Sequence, residues 1–291
     1  MIKIAYLASK VTLPDSPTRR SDAFEHDRMM EALRGPFAAL DMEVEDIDWA
    51  AVETDWSDFA AVIIGTTWDY WDQTDHFLQT LEHIEAKTQL FNAAHLVRWN
   101  SDKRYLQSLE ARGAKTIPTL WLDRVDDEAF HNAFAQLAHE DLVFKRQIGA
   151  GADGQFRLSP SDRCPDMPHP MMVQPFQSAI QQEGEYSFVF IDGAFSHALL
   201  KTAKSGDYRI QSTYGGTERK IAPCPDDLGA AATILTFLDE TPLYARVDML
   251  RGEDGQMQLM ELELIEPYLY PLQGAELGAR MAAAVAKRLG R

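Results

Sequence analysis

The chain has 291 residues, 45% hydrophobic and 25% charged, enough for one large or two to three modest packed domains. Its 45 acidic residues outnumber 28 basic ones, and the net charge of −17 would repel a phosphate backbone, so no nucleic-acid partner is expected. No apolar run approaches the roughly 20 residues needed to cross a bilayer, so no membrane role is expected either.

Ile2–Ala8 is strand-like and too short and interrupted for a signal peptide. Cys164 and Cys224 lie far apart beside prolines and fit reduced thiols in a cytoplasmic protein, and the histidines show no zinc spacing. Asp22–Leu40 has helical spacing, with Ser21 or Asp22 as N-cap. Glu43–Ile47 and Ala60–Gly65 are the next expected strands, and Asp75–Ala86 the next helix. This alternation predicts a parallel sheet covered by helices, whose ligands favour the carboxyl ends of the strands. Thr66–Trp71 sits at such an end and either shapes a substrate pocket or caps the core. A helix over Asp102–Arg112, a strand over Ile117–Trp121 and a helix over Asp126–Ala138 follow. After Leu142 short strands dominate, separated by the turn dipeptides Asp153-Gly154, Asp192-Gly193 and Asp254-Gly255, and Gly274–Leu289 closes the chain as an amphipathic helix.

The most informative segment is Tyr244–Ile265. A hairpin centred on Asp254-Gly255 sets Asp248 opposite Glu261 and Arg246 opposite Glu263, all four on one face. Val247, Met249, Met260, Leu262 and Leu264 then line the apolar face. Opposed carboxylates ~5 Å apart are destabilising, so the cluster needs more positive charge or some protonated members. A magnesium ion supplies that charge, and oxygen ligands suit it; a solvated acidic face is the simpler alternative.

Gly149, Gly151 and Gly154 match a dinucleotide fingerprint, but Gln155–Leu158 continues as a strand where a Rossmann loop would open a helix. A strand–glycine loop–strand is instead a flap able to lay backbone N–H groups over phosphates. Lys145 ends the strand before it, well placed for a phosphate oxygen. Met171–Phe176 is an apolar strand broken by Pro175, which suits an edge or a crossover. Glu185 and Lys201 fall at the same end of a hairpin turning at Asp192-Gly193, where a surface salt bridge is the simpler explanation.

Taken in order from about Trp99 to Leu272, these segments resemble the ATP-grasp superfamily. The resemblance implies an α/β and α+β fold: an N-terminal α/β domain (1–98), a central lobe with the glycine-rich flap (99–175) and a C-terminal lobe with the metal site (176–291). It implies an ATP- and Mg2+-dependent ligase that activates a carboxylate as an acyl phosphate and joins it to an amine. By the same resemblance, Lys103, Lys145 and Lys201 bind the nucleotide phosphates beneath Gly149, Gly151 and Gly154. Gln174, Pro175 and Phe176 form the adenine hinge, and Glu185 binds ribose. Arg246 and Lys201 act on the transferred phosphoryl group, and Asp248, Glu261 and Glu263 hold magnesium. Glu263 departs from the usual asparagine, and Glu266–Tyr270 lacks the usual glycine. The glutathione-synthetase and ribosomal-modification branches look nearest. Trp68-Asp69-Tyr70 and Asp207–Gln211 are similar to the D-cycloserine-forming cyclo-ligases, which makes Trp68, Asp69, Tyr70, Arg209 and Gln211 the substrate candidates. Partners are then small-molecule acids and amines, and a homo-oligomer is compatible with them. A small-molecule kinase or a non-catalytic nucleotide-binding module are the alternatives for the same site.

Overall fold

The computed structural model describes residues 1–291 except 152, 205 and 211–213. Four strands, β1 (Ile2–Ala8), β2 (Met42–Asp48), β3 (Ala61–Ile64) and β4 (Gln89–Phe91), form a parallel sheet in the order β2-β1-β3-β4. The inner strands β1 and β3 are apolar on both faces because both are covered, whereas the edge strand β2 carries Glu43, Glu45, Asp46 and Asp48. Ile4, Tyr6, Ala61 and Ile63 pack with helices α1 (Phe24–Ala38) and α8 (Leu277–Arg288). Ala5, Leu7, Val62 and Ile64 face α2 (Thr74–Glu85) and the start of α3 (Ala94–Ser101). Helix α1 is shorter than expected. Ala23 stands at its N-cap without a side-chain bond, because the Asp22 carboxylate is held by Arg20 at 2.6 and 2.9 Å.

The segment expected as one helix over Asp102–Arg112 is the short α4 (Tyr105–Ala111), preceded by α3. A four-stranded antiparallel sheet follows in the order β5-β8-β6-β7: β5 (Leu120–Leu122), β6 (Leu142–Arg146), β7 (Phe156–Leu158) and β8 (Met171–Pro175). Helix α5 (Asp127–Leu137) covers it, its first turn capped by the Asp126 carboxylate on the Ala129 N–H. Strand β8 is internal, and Pro175 is tolerated there because it is the last residue of the strand.

After the one-turn helix α6 (Ala179–Gln182), the remaining strands are β9 (Glu185–Ile191), β10 (Ala194–Thr202), β11 (Thr217–Ile221), β12 (Tyr244–Arg251) and β13 (Met257–Glu263). They form an antiparallel sheet in the order β11-β10-β9-β12-β13. Helix α7 (Pro225–Thr236), which the expected run of short strands omits, packs Ala231 and Ile234 on its apolar face. Strand β13 is an edge, and its outer backbone groups are taken by side chains and, at the Leu259 N–H, by the Lys115 carbonyl at 2.7 Å. The Leu262 N–H donates to the Tyr105 hydroxyl at 2.7 Å, the Leu264 N–H donates to Asn100 Oδ1 at 3.0 Å, and Asn100 Nδ2 donates to the Leu262 carbonyl at 2.8 Å. Asn92 ties the first sheet to the same region through the carbonyls of Tyr244 and Leu264.

The two ends of the chain meet where α8 crosses α1. A Cβ at Gly278 would stand 1.9 Å from the Ala32 carbonyl oxygen. Gly278→Ala should therefore destabilise the protein by about 1–3 kcal/mol, overriding the helix-propensity gain. Urea denaturation checks this, and an unchanged or raised midpoint would show that the helices part freely.

Candidate active site

The register of β12 and β13 places the charges. Arg246 pairs with Glu263 and Asp248 with Glu261, as the hairpin pattern predicts. The route to that register differs from the expected two-residue turn. Next to the turn, Arg251 pairs with Met257 and Met249 with Leu259, and Met260 is an extra residue that shifts the register by one. Such a bulge turns consecutive side chains to the same side. Met260 accordingly lines the cavity beside Glu261, and Leu259 takes the place on the apolar face that Met260 was expected to fill.

This charged face borders a cavity of about 240 Å³, lined also by Lys103, Lys145, Lys201, Glu185 and the glycines Gly149 and Gly151. Lys201 and Glu185 face each other across β9 and β10 and form an ion pair at 2.5 Å. It is no surface bridge, since Glu185 is 1% and Lys201 4% exposed. Lys201 also reaches Asp248 at 3.3 Å, and Arg246 donates to Asp248 at 2.9–3.1 Å and to Glu263. Ser187 completes the shell around Asp248. Lys103 pairs with Glu261 at 2.8 Å and donates to the Gly149 carbonyl at 2.7 Å, tying the flap to the acids.

Burial opposes the charge on Asp248, yet Arg246 and Lys201 outweigh it and hold the carboxyl down at about 2. Burial prevails for Glu185 and Glu263, each pushed up to about 7 although Lys201 and Arg246 pull them down. Burial also lowers the Lys145 ammonium, whose hydrogen-bond partner is the Gln174 side-chain oxygen at 3.2 Å. The sheet thus combines added cations with partly protonated acids.

The flap is a strand–loop–strand. β6 and β7 pair antiparallel, and Gly151 and Gly154 carry φ of +65° and +62°, a backbone state that favours glycine. Gln174, Pro175 and Phe176 line a second cavity of about 40 Å³ with Val143, Leu250 and Tyr208, and Lys145, Gln155 and Met260 border both cavities. The Phe176 N–H donates to the Asp141 carbonyl, and the Arg157 guanidinium lies 3.5 Å over the Phe176 ring.

The substrate candidates divide. Trp68 and Tyr70 line the main cavity. Asp69 instead accepts from Trp49 Nε1 at 2.6 Å, against the N-terminal core. Arg209 pairs with Asp207 at 2.8 Å and lies 3.8 Å over Tyr214, while its neighbour Ile210 faces the cavity. Gln211 lies outside the described residues. Arg20, Asn100, Glu218, Glu266, Tyr268 and Tyr270 also line the cavity, and the sequence offers no local signal for most of them. Glu266 and the tyrosines do follow the acidic strand in a tail that departs from the usual motif.

The donor set is all oxygen, as magnesium prefers, and Glu185 Oε2 is buried without a hydrogen-bond partner. Among the described residues, however, no group of three or more acidic, histidine or cysteine side chains forms a ready cage. Lys103, Lys201 and Arg246 are paired with the carboxylates instead.

Residues 4–92 match the family described as D-cycloserine synthetase DcsG, N-terminal domain. The cycloserine biosynthesis protein DcsG of Streptomyces lavendulae is 28% identical over 295 residues, covering 90% of this chain and 92% of that protein. The crystal structure of D-cycloserine synthetase DcsG superposes with a TM-score of 0.83 at 26% identity, covering 99% of each chain. The chain is an ATP-grasp ligase similar to D-cycloserine synthetase. The ligase fold also matches PsnB, an ATP-grasp ligase solved with a phosphomimetic variant of its minimal precursor, Mg and ADP, at a TM-score of 0.64, 17% identity and 98% coverage of both chains.

Because Glu185 keeps its proton to about 7 when folded but ionises near 4.5 when unfolded, the folded ligase binds more protons between those values. Its stability should fall as pH rises through that window. Relative to Glu185→Gln, the wild-type unfolding free energy should drop on the order of 2 kcal/mol between pH 4.5 and 7. Urea titrations across this range measure it, and parallel pH profiles would refute the buried proton.

Proposed function

We propose that the two cavities hold ATP with magnesium and that the ligase activates a small-molecule carboxylate there. The observation that carries this is the face of β12 and β13, where Arg246, Asp248, Glu261 and Glu263 stand across one cavity from Lys145 and the glycine flap. A carboxylate oxygen attacks the γ-phosphorus, ADP leaves and an acyl phosphate forms. An amine then displaces phosphate and loses a proton to give the amide, and ring closure results when acid and amine belong to one molecule.

The adenine would enter the smaller cavity between Val143, Leu250 and the hinge Gln174–Phe176, with ribose near Glu185. Lys103, Lys145 and Lys201 would meet the phosphates as the flap of Gly149, Gly151 and Gly154 covers them. Such charge neutralisation in a closed site is the main source of acceleration in phosphoryl transfer. Magnesium held by Asp248, Glu261 and Glu263 would add positive charge against the phosphate oxygens. Arg246, fixed by two acids and by the Tyr268 carbonyl at 3.0 Å, is oriented to steady the moving phosphoryl group. Closure of the flap would keep water from the acyl phosphate. Trp68 and Tyr70 would wall the acid and amine, and a cytoplasmic setting fits the two unpaired cysteines. Among the described residues no helix is long and apolar enough to cross a membrane.

A screen of amino acids of both hands and small acids, with ATP and Mg2+, should yield phosphate, ADP and a new amide. EDTA should abolish turnover, and Arg246→Lys, which keeps the charge but loses the fork, should lower kcat about a hundredfold with ADP affinity nearly unchanged. Accumulation of a stable phosphorylated product without free phosphate would identify a kinase instead.

A further inference from the structure

Most charges lining the main cavity are matched among themselves, while Lys145 has the Gln174 side-chain oxygen as its partner. Arg20 pairs with Asp22, Arg146 with Asp153, Lys103 with Glu261, Lys201 with Glu185 and Asp248, and Arg246 with Asp248 and Glu263. Two cavity acids differ: among the described residues, the carboxylates of Glu218 and Glu266 form no ion pair and no hydrogen bond to another side chain. Glu218 lies opposite Lys201 on the neighbouring strand and feels Lys201, Arg28 and Arg246, so its charge is compensated at a distance. Glu266 has the reverse surroundings. Its nearest charged influences are Glu263, then Lys103 and Glu261, two acids against one cation. Burial and Glu263 together push it well above the usual carboxylate range, and a bound cation would relieve that cost.

Its place in the fold is fixed through its backbone. The Glu266 carbonyl accepts from Trp68 Nε1 at 3.1 Å, which fixes this residue against the aromatic turn of the N-terminal sheet. Tyr70, buried on the same turn, feels Glu266 more than any other charge. A carboxylate without an ion-pair partner among the described residues, lining a cavity beside Trp68 and Tyr70, has the chemistry of an organic-ammonium receptor, and Arg20 already lies 5.5 Å over the Trp68 ring as a cation there.

We propose that Glu266, walled by Trp68 and Tyr70, is the subsite that receives a cationic ammonium group of the substrate. The proposal rests on the ligase function and names the pole of its substrate that the unmatched acid selects. The amine-bearing substrate thus binds on the side of the cavity that Trp68 and Tyr70 line.

The test is calorimetric titration of the protein saturated with ADP and Mg2+, using D- and L-alaninamide as monocations and propionamide as their neutral counterpart. At least one alaninamide should bind about tenfold more tightly than propionamide. Glu266→Gln should remove that advantage, and Glu266→Asp, which keeps the charge, should restore much of it. Equal binding of alaninamide and propionamide to the wild type would overturn the proposal, as would undiminished alaninamide binding by Glu266→Gln. A Glu266→Gln protein that instead loses ADP–Mg2+ affinity about tenfold would place the residue among the metal ligands and overturn it too. Wild-type protein that takes up no ADP with Mg2+ at all would sink the nucleotide assignment and this subsite with it.

Discussion

The structure depends on holding four acids against three cations, two of the acids, Asp248 and Glu185, almost closed to water. Asp248 is the pivot, contacted by Arg246, Lys201 and Ser187 while only 2% exposed. Opposed like charges on neighbouring strands would push a sheet apart, and burial would multiply that repulsion. The fold answers by threading basic side chains from β10, β12 and the segment before α4 between the carboxylates. Those same side chains are the ones proposed to meet phosphates, so the nucleotide-free protein keeps its catalytic groups paired with one another. Nucleotide binding, as proposed, would exchange partners rather than create new charge in the cavity.

Much of this was legible in the chain. The alternation of strand and helix in the first third, the strand–glycine–strand flap and the opposition of Asp248 to Glu261 all follow from period-two patterning and turn chemistry. The pairing was right although the turn was not: the extra residue at Met260 cancels the one-residue difference between the expected and observed hairpins. Periodicity does not reveal a bulge, because a methionine suits either face. The missing N-cap at Asp22 has a similar origin, since a tertiary partner, Arg20, took the carboxylate that local pattern assigned to the helix.

What pattern could not supply was the convergence of distant segments. Arg20, Asn100, Glu218 and Tyr270 come to one cavity from four separate stretches. Asp69 and Arg209 sit beside cavity residues but turn away: Asp69 toward the buried Trp49, and Arg209 toward the nearby Asp207 carboxylate and the Tyr214 ring. The depth of the Glu185–Lys201 pair was equally hidden. Two charges on a hairpin look the same in sequence at the surface and at the centre of a sheet, and only the flanking β12 and β11 decide it.

The bulge also sets what stands between the two cavities. Losing Met260 would let Leu259 and Glu261 follow one another as ordinary strand neighbours, with Asp248 still facing Glu261. The methionine thus stands between the two cavities as a supple thioether that the strand register does not itself require. A change of this one side chain would resize the passage between the smaller and the larger cavity while the ion pairs beside it keep their register.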